Sequence, residues 1–266
     1  MSIQLEVLAD EVFDAAAAQA RLGSHSTRHP FGEVIRHPEY PDLFFLNVIA
    51  RLVAPSWSIE DVNRAVDELL PGPKQIRIDS RDPATVANLR FLTEAGYRHD
   101  VRVAMVHVFA DPFPSPGTGG GSGRGFSVAE VAGDLPWADF EESLRTDARE
   151  HEWSQPMTDQ YLRLCRWRAE NTPHRYYLLY EDDRRLSHAG LFQHGRTVYL
   201  HGVYTRPDAR RRGAGGALTQ AMATEAHRLG GDRLVLQTDE DGHLPAFYAR
   251  LGYRPVGQQH TWTKTR

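Results

Sequence analysis

Seven consecutive residues, Arg210-Arg211-Arg212-Gly213-Ala214-Gly215-Gly216, carry the clearest chemical signal in the sequence. They follow Pro207-Asp208-Ala209 and lead into Ala217-Leu218, between a strand-like run, Thr197 to Tyr204, and an amphipathic helix reaching about Leu229. A tight glycine turn that opens a helix presents unpaired backbone N–H groups at the positive end of the helix dipole. That is a setting for a phosphate or pyrophosphate. The arginines before the turn add charge of the right sign. Taken alone, the run also reads as a surface turn with solvated arginines; the order strand, loop, helix favours the anion site.

Other side chains nearby could move protons. His201 has an unperturbed pKa suited to accepting a proton near neutrality, and it reads equally well as a structural or substrate-lining histidine. Strand alternation puts it on one face with Tyr199 and Val203, opposite Leu200 and Tyr204. Asp239, Glu240 and Asp241 follow an inner strand and could attract a cationic amine, or simply form a solvated loop and helix cap. His188, His194 and His201 are spread over neighbouring strands, and His151-Glu152-Trp153 shows no ligand repeat, so no metal is expected. The single cysteine, Cys165, excludes an internal disulfide and a multi-cysteine zinc site. Its place in the helical run Tyr161 to Trp167 makes it a buried thiol and not a nucleophile.

These groups need a scaffold, and the C-terminal half spells one out. Strands are expected at Arg124–Val128, Arg175–Glu181, Leu186–Phe192, Thr197–Tyr204 and Arg233–Thr238, with a helix-rich region before Glu170. Leu218, Met222, Ala226 and Leu229 recur at helical spacing as a buried face, and Gly230-Gly231 ends that helix. A short helix, Leu244 to Leu251, closes at Gly252, and terminal strands are expected at Tyr253–Val256 and His260–Thr265. Strands alternating with helices mean an α/β domain.

The stretch Asp111-Pro112-Phe113-Pro114-Ser115-Pro116-Gly117-Thr118-Gly119-Gly120-Gly121-Ser122-Gly123 reads as a linker. It divides the chain into an N-terminal domain, 1–110, and a C-terminal domain, 124–266, each large enough for its own core. The N-terminal half repeats the last part of the order: strand Leu43–Ile49, helix Ile59–Leu70 capped by Ser58, strand Gln75–Ile78, helix Pro83–Ala95 and strand Val101–Phe109. Leu92-Thr93-Glu94-Ala95-Gly96-Tyr97-Arg98 parallels Ala249-Arg250-Leu251-Gly252-Tyr253-Arg254, as an internal duplication would. Between Ile49 and Ile59, however, there is no glycine. The first half keeps the fold signature and lacks the phosphate cradle.

Composition narrows the class. At 41% hydrophobic and 25% charged, the chain has the make-up of a soluble globular protein. No apolar run is long enough to span a bilayer, and Met1 to Glu6 lacks a signal-peptide pattern. With a net charge of −4 and basic residues scattered outside the arginine run, nucleic acid is not an expected partner. A cytoplasmic protein, monomeric or homodimeric, is expected.

The C-terminal half resembles the GCN5-related N-acetyltransferase (GNAT) superfamily. Arg210, Gly213 and Gly215 match the family pattern of Arg or Gln, two residues, Gly, one residue, Gly or Ala. The preceding strand with Pro207, and the later Ala246-Phe247-Tyr248-Ala249-Arg250-Leu251-Gly252-Tyr253, match in sequence and order. The likeness covers roughly 124–266 and, weakly, 30–109, so the whole chain resembles tandem acetyltransferases with a degenerate N-terminal domain. It implies an α/β fold with a mixed central sheet flanked by helices, in two tandem copies.

The resemblance also implies a coenzyme site and a reaction. Backbone N–H groups from Arg211 through Arg212, Gly213, Ala214, Gly215 and Gly216 would hold the pyrophosphate of acetyl-CoA. Arg210 opens the motif, and Val203, Tyr204 and Thr205 would pair with the pantetheine arm. Asp241 stands where the family usually has a coenzyme-contacting asparagine. Family enzymes let a deprotonated amine of a small molecule or peptide attack the thioester directly. Tyr248 takes the place of the tyrosine that often protonates the departing thiolate, or else it is a core aromatic. The strand before the cradle has no glutamate base, which leaves His201 as the candidate. Trp153, Trp167 and Tyr161 line the acceptor or fill the core. The alternative function is a non-catalytic acyl-CoA-binding sensor.

Overall fold

In the computed structural model, residues 3–73, 75–109 and 125–265 are described. In chain order the elements are α1 (Ile3–Arg21), β1 (His25–His29), β2 (Gly32–Arg36), β3 (Val48–Ala50), α2 (Ile59–Leu69), β4 (Gln75–Ser80), α3 (Pro83–Asn88), α4 (Phe91–Glu94) and β5 (Arg98–Val108). They continue as β6 (Phe126–Glu130), α5 (Asp134–Glu150), α6 (Gln155–Asn171), β7 (His174–Glu181), β8 (Arg184–His194), β9 (Thr197–Thr205), α7 (Ala214–Arg228), β10 (Arg233–Asp239), α8 (Leu244–Arg250) and β11 (Arg254–Thr265). The fold is α/β with mixed strand pairing, as expected. The segment expected as a linker, 111–123, lies outside the described residues.

The chain packs as two compact units. Unit one holds Met1–Ala104, Gln237–Pro245 and Val256–Arg266, and unit two holds Met105–Leu236 and Ala246–Pro255. The sequence predicts one domain over 124–266, whereas Gln237–Pro245 and Val256–Arg266, with most of the last strand, pack into unit one. The reason is pairing and burial: β11 runs antiparallel to β4 from His260↔Ser80 to Thr265↔Gln75. Trp262, 1% exposed, sits in a core with Ile49, Val62, Val66, Ile76, Ile78, Leu89 and Tyr97.

In unit one, β1–β2 and β2–β3 are antiparallel and β3–β4 is parallel. A parallel pair needs a crossover, and α2 supplies it. Ser58 caps α2 with a complete capping box: its side chain accepts from Asp61 N–H, and the Asp61 carboxylate accepts from Ser58 N–H. Val62, Ala65 and Val66 form its buried face.

Four expectations for unit one change in the structure. The sequence predicts no element before Leu43, but α1 and the β1–β2 hairpin form there, with Ala9, Val12 and Ala15 fully buried. Leu43–Ile49 is not one strand: Phe44–Leu46 is a 3-10 turn, and only Val48–Ala50 pairs. Buried Asn47 holds that turn, accepting from His37 N–H and donating to the carbonyls of Tyr40 and Leu43. The helix expected over Pro83–Ala95 breaks at Leu89–Arg90 into α3 and α4. The two expected terminal strands are one continuous β11, because Gly257 lets α1 approach instead of interrupting the strand; an added Cβ would lie 2.8 Å from Ala9 Cβ.

Unit two contains the glycine turn. β6, β7, β8 and β9 form an antiparallel meander, and β9 pairs in parallel with β10. Again one helix makes the crossover: α7 buries Leu218, Met222 and Ala226 completely. It stops at Gly230 (φ 83), where Gly231 N–H returns to the Ala226 carbonyl. Trp137, Phe140, Leu144, Leu162, Cys165, Tyr176 and Leu178 pack α5 and α6 against the meander.

The repeated Gly-Tyr-Arg segments also match in local structure. Gly96 (φ 84) and Gly252 (φ 90) each end a short helix, and each following tyrosine N–H reaches back to a helix carbonyl, Tyr97 to Leu92 and Tyr253 to Tyr248. Both tyrosines are buried.

If Trp262 anchors the core of unit one, Trp262→Ala should cost about 3–5 kcal/mol of unfolding free energy, measured by urea denaturation. A loss below about 1 kcal/mol would show that the last strand contributes little to that core.

Candidate active site

The turn between β9 and α7 has the backbone that the sequence calls for. Arg211 takes φ 59 and Gly213 φ 92, left-handed conformations of the kind found in anion-binding backbone turns. Gly213 is the N-cap of α7 and makes no side-chain cap hydrogen bond. The first helical N–H groups, on Ala214, Gly215 and Gly216, have no carbonyl one turn earlier to receive them. Ala217 N–H is the first to bond back, to Gly213 O at 2.9 Å.

Small residues here serve packing as well. A Cβ on Gly215 would stand 3.2 Å from Thr205 Oγ1 and 3.7 Å from Phe247 Cζ, and one on Gly216 would stand 3.9 Å from Leu251 Cδ2. Thus β9 and the α8 region close on the first turn of α7 from one side. Around Gly213 an added Cβ would meet nothing within 4 Å. The tip of the turn is open.

The arginines divide their work. Arg210 Nε donates to Thr205 O at 2.9 Å, and its Nη2 lies 2.5 Å from Glu150 Oε1 on α5. Arg212 Nη2 lies 3.2 Å from Glu181 Oε2. Arg210 therefore braces the start of the loop, while Arg211 is exposed at its tip.

β9 reaches this loop through a bulge. Against β8, Tyr204 pairs with His188 and His201 with Gly190, so three steps on β9 match two on β8. Gly202 takes φ 56 at the extra residue. Pairing with β10 covers only Thr197, Val198 and Tyr199, so Val203, Tyr204 and Thr205 run on past it. Beyond that pairing, the Thr205 carbonyl accepts from Arg210 Nε.

The bulge also overturns the simple alternation. His201 and Tyr204 face the same side, toward α5 and α6. The His201 ring is T-shaped against Tyr176 at 5.9 Å and His174 at 5.3 Å, while Tyr204 Oη donates to Glu150 Oε2 at 3.0 Å. Tyr161 joins them, its hydroxyl 3.4 Å from where a Gly202 Cβ would be, and Trp153 packs edge-on against Tyr161 at 5.4 Å.

Environment then sorts the proton carriers. His201 Nε2 is enclosed with no hydrogen-bond partner among the described residues, and burial, with Arg168 nearby, pushes its pKa down to about 3. Burial also takes His188 to about 3, with Nδ1 2.8 Å from Ser143 Oγ. Asp147 behaves oppositely: burial lifts it to about 6 against the pull of His151, whose Nδ1 is 2.8 Å from Oδ1. Glu150 also feels burial, but hydrogen bonds from Arg210 and Tyr204 outweigh it and hold the carboxyl below its usual range. Asp147 and Glu150 were not singled out in the sequence; their only signal there was an i,i+3 spacing on a helix, which is common.

Tyr248 is buried on α8, beside Phe247 and Tyr253. Burial, with Tyr199 nearby, pushes its phenol up to about 12, so it keeps its proton at neutral pH. Cys165 is buried and its thiol is raised to about 11 by burial, which makes it a poor nucleophile. Asp241 is exposed in a loop of unit one, where Asp239 Oδ1 lies 3.1 Å from Arg102 Nε. Trp167 is half-buried on α6.

A surface hollow of about 550 Å³ lies at the β7–β8 turn, lined by Glu181, Asp182, Asp183, Arg184, Arg185 and Arg206. Each of its arginines is held by a carboxylate: Arg184 and Arg206 by Asp208, and Arg185 by Glu142. The proton-carrying side chains described above do not line it. Among the described residues, no group of three or more His, Cys, Asp or Glu could hold a metal ion, and no helix is long and apolar enough to cross a membrane.

Comparison with known proteins agrees with this geometry. Residues 137–253 match the sequence profile of the acetyltransferase (GNAT) family. Among solved structures, a GCN5-related N-acetyltransferase from Kribbella flavida aligns with a TM-score of 0.62 at 16% identity, covering 99% of this chain and 96% of its own. A conserved protein of unknown function from Staphylococcus epidermidis aligns with a TM-score of 0.67 at 12% identity, covering 91% and 94%. A putative GNAT-family acetyltransferase from Novosphingobium aromaticivorans aligns at 0.56 and 16% identity, covering 96% of each chain. At such identities the likeness is one of fold. No curated protein matches the sequence.

The burial of His201 and His188 predicts imidazoles that stay neutral between about pH 5 and pH 8. Long-range nitrogen–proton NMR correlations should show no titration of either ring across that range. A midpoint near the ordinary histidine value for His201 would mean that water reaches its ring.

Proposed function

We propose, from the premise that residues 137–253 carry a domain of the acetyltransferase (GNAT) family, that this protein transfers an acetyl group from acetyl-CoA to a primary amine. The acceptor is a small molecule or peptide. One observation carries the reading: the N-terminus of α7 is capped by left-handed Gly213 without a side-chain hydrogen bond, directly after a strand that has parted from its parallel neighbour. An uncapped helix start suits a pyrophosphate, and a half-paired strand suits the extended arm of the coenzyme.

The residues present fit that cosubstrate. Backbone N–H groups from Arg211 to Gly216 would bind the pyrophosphate, and the exposed Arg211 adds positive charge. Val203, Tyr204 and Thr205 would orient the arm through their backbones. Bound acetyl-CoA supplies an activated acyl carbon and a thiol leaving group. Tyr248, protonated at neutral pH because it is buried, would give its proton to the departing sulfur. Direct transfer suits the chain better than an acyl-cysteine route, since Cys165 is buried and hard to ionise.

Unit one fits as a second copy of the same βαβ design without the cradle. Its crossover, β3–α2–β4, has the parallel pairing of β9–α7–β10. The N-terminus of α2, however, is closed by Ser58 and Asp61 and made negative by Glu60 and Asp61. A phosphate there would meet carboxylates where it needs free N–H groups.

Two measurements test this function. Thiol release from acetyl-CoA should depend on an added amine, drawn from alkylamines, polyamines, aminoglycosides and lysine peptides, with coenzyme binding followed by calorimetry. Coenzyme binding without release across the panel would favour a sensor, and no binding at all would remove both readings. Gly213→Val should weaken coenzyme binding by about tenfold or more while the fold persists by circular dichroism, because a β-branched residue resists φ 92. Tyr248→Phe should lower kcat by about 10²-fold with little change in coenzyme affinity. Unchanged turnover would remove it as the acid.

A further inference from the structure

An ammonium group must lose a proton before its nitrogen can attack a thioester, and the groups around the β9 bulge differ in their capacity to take it. His188 is buried, His201 has its Nε2 enclosed, and both resist protonation. Both oxygens of Glu150 are engaged, Oε1 by Arg210 and Oε2 by Tyr204. Asp147 is different. It stands one helical turn before Glu150 on α5, with Oδ1 2.8 Å from His151 Nδ1 and Oδ2 3.6 Å from His188 Nε2. His188 in turn packs against the Tyr204 ring at 5.4 Å, which ties the carboxylate to the strand just past the bulge. The Asp147 side chain keeps 16% of its surface exposed, enough to meet a ligand.

Resting on the acetyl-transfer function, we infer that Asp147 is the general base that accepts the proton of the acceptor amine, with His151 positioning its carboxylate. The ammonium gives one proton to Asp147, and the freed nitrogen lone pair attacks the acyl carbon. The C–N bond forms and the C–S bond breaks, its electron pair leaving on sulfur, which takes the Tyr248 proton. The new amide nitrogen sheds its surplus proton back to the Tyr248 oxygen, and Asp147 releases its own to water.

The titration of Asp147 is set from several sides. His151 and Glu150 face it from α5, His188 from β8, Tyr204 from β9, Tyr161 from α6 and Arg210 from the loop after β9. Burial and Glu150 raise its pKa, His151 and Arg210 lower it, and the balance near 6 leaves it ionised and basic at neutral pH.

The test compares wild type with Asp147→Asn, using acetyl-CoA, an alkylamine that the wild type accepts, and hydroxylamine, which is already neutral near pH 7. Wild-type kcat/KM for the alkylamine should fall on the acidic side with a midpoint near 6. In Asp147→Asn that limb should vanish and the rate drop by about 10²–10⁴-fold, with a much smaller loss for hydroxylamine and unchanged coenzyme affinity. An unchanged acidic limb, or equal losses with both acceptors, would overturn the assignment. Should Asp147→Asn fail to bind coenzyme, Asp147→Glu decides: a displaced acidic limb supports the base role, and a wild-type profile refutes it. A wild type that binds coenzyme but releases no thiol with any amine refutes the acetyl-transfer function itself, and this inference with it.

Discussion

The extra residue in β9 at Gly202 is the constraint on which the functional half of this protein depends. A regular strand here would alternate its side chains and continue its ladder along β10. The bulge does neither. It turns Tyr204 to the same side as His201, and it accompanies the end of pairing with β10 after Tyr199. The strand therefore arrives at the glycine loop beyond its pairing with β10, with the Thr205 carbonyl held by Arg210 and a tyrosine hydroxyl anchored to α5 on one face. Glycine is what makes this geometry cheap, because φ 56 would strain most side chains.

The two crossover helices show how little separates a helix start without a side-chain cap from a closed one. α2 and α7 each follow a strand and precede its parallel partner. At α2, a serine and an aspartate satisfy the first N–H groups from within the chain. At α7, glycine and alanine provide no such groups, and the N–H groups face outward. The dipole is the same in both; the difference lies in which atoms answer it. Arg210 completes the contrast by bracing its loop through Thr205 and Glu150, so the loop is held from the protein side and left open at Gly213.

Burial then assigns proton chemistry. The same desolvation lowers His188 and His201, which are charged when protonated, and raises Asp147 and Tyr248, which are charged when deprotonated. A buried histidine is thus kept neutral, a half-screened carboxylate stays ionised near neutrality, and a buried phenol keeps its proton. Residue type alone would have ranked His201 first. Its surroundings reverse that order.

The sequence by itself determined the α/β alternation, the glycine turn, the buried face of α7, the Ser58 cap and the local likeness of the Gly96-Tyr97 and Gly252-Tyr253 segments. Each is written in periodicity, or in a residue whose local conformation is nearly forced. It did not disclose α1 or the first hairpin, whose stability comes from burial of Ala9, Val12, Ala15 and Ile35 against other elements. Nor could it place β11, since strand partners are chosen by pairing between distant segments, here with β4. The candidate base lay beyond it for the same reason. An aspartate on a helix is ordinary until folding packs it beside His188 and the β9 bulge, and only that packing sets its pKa and its direction.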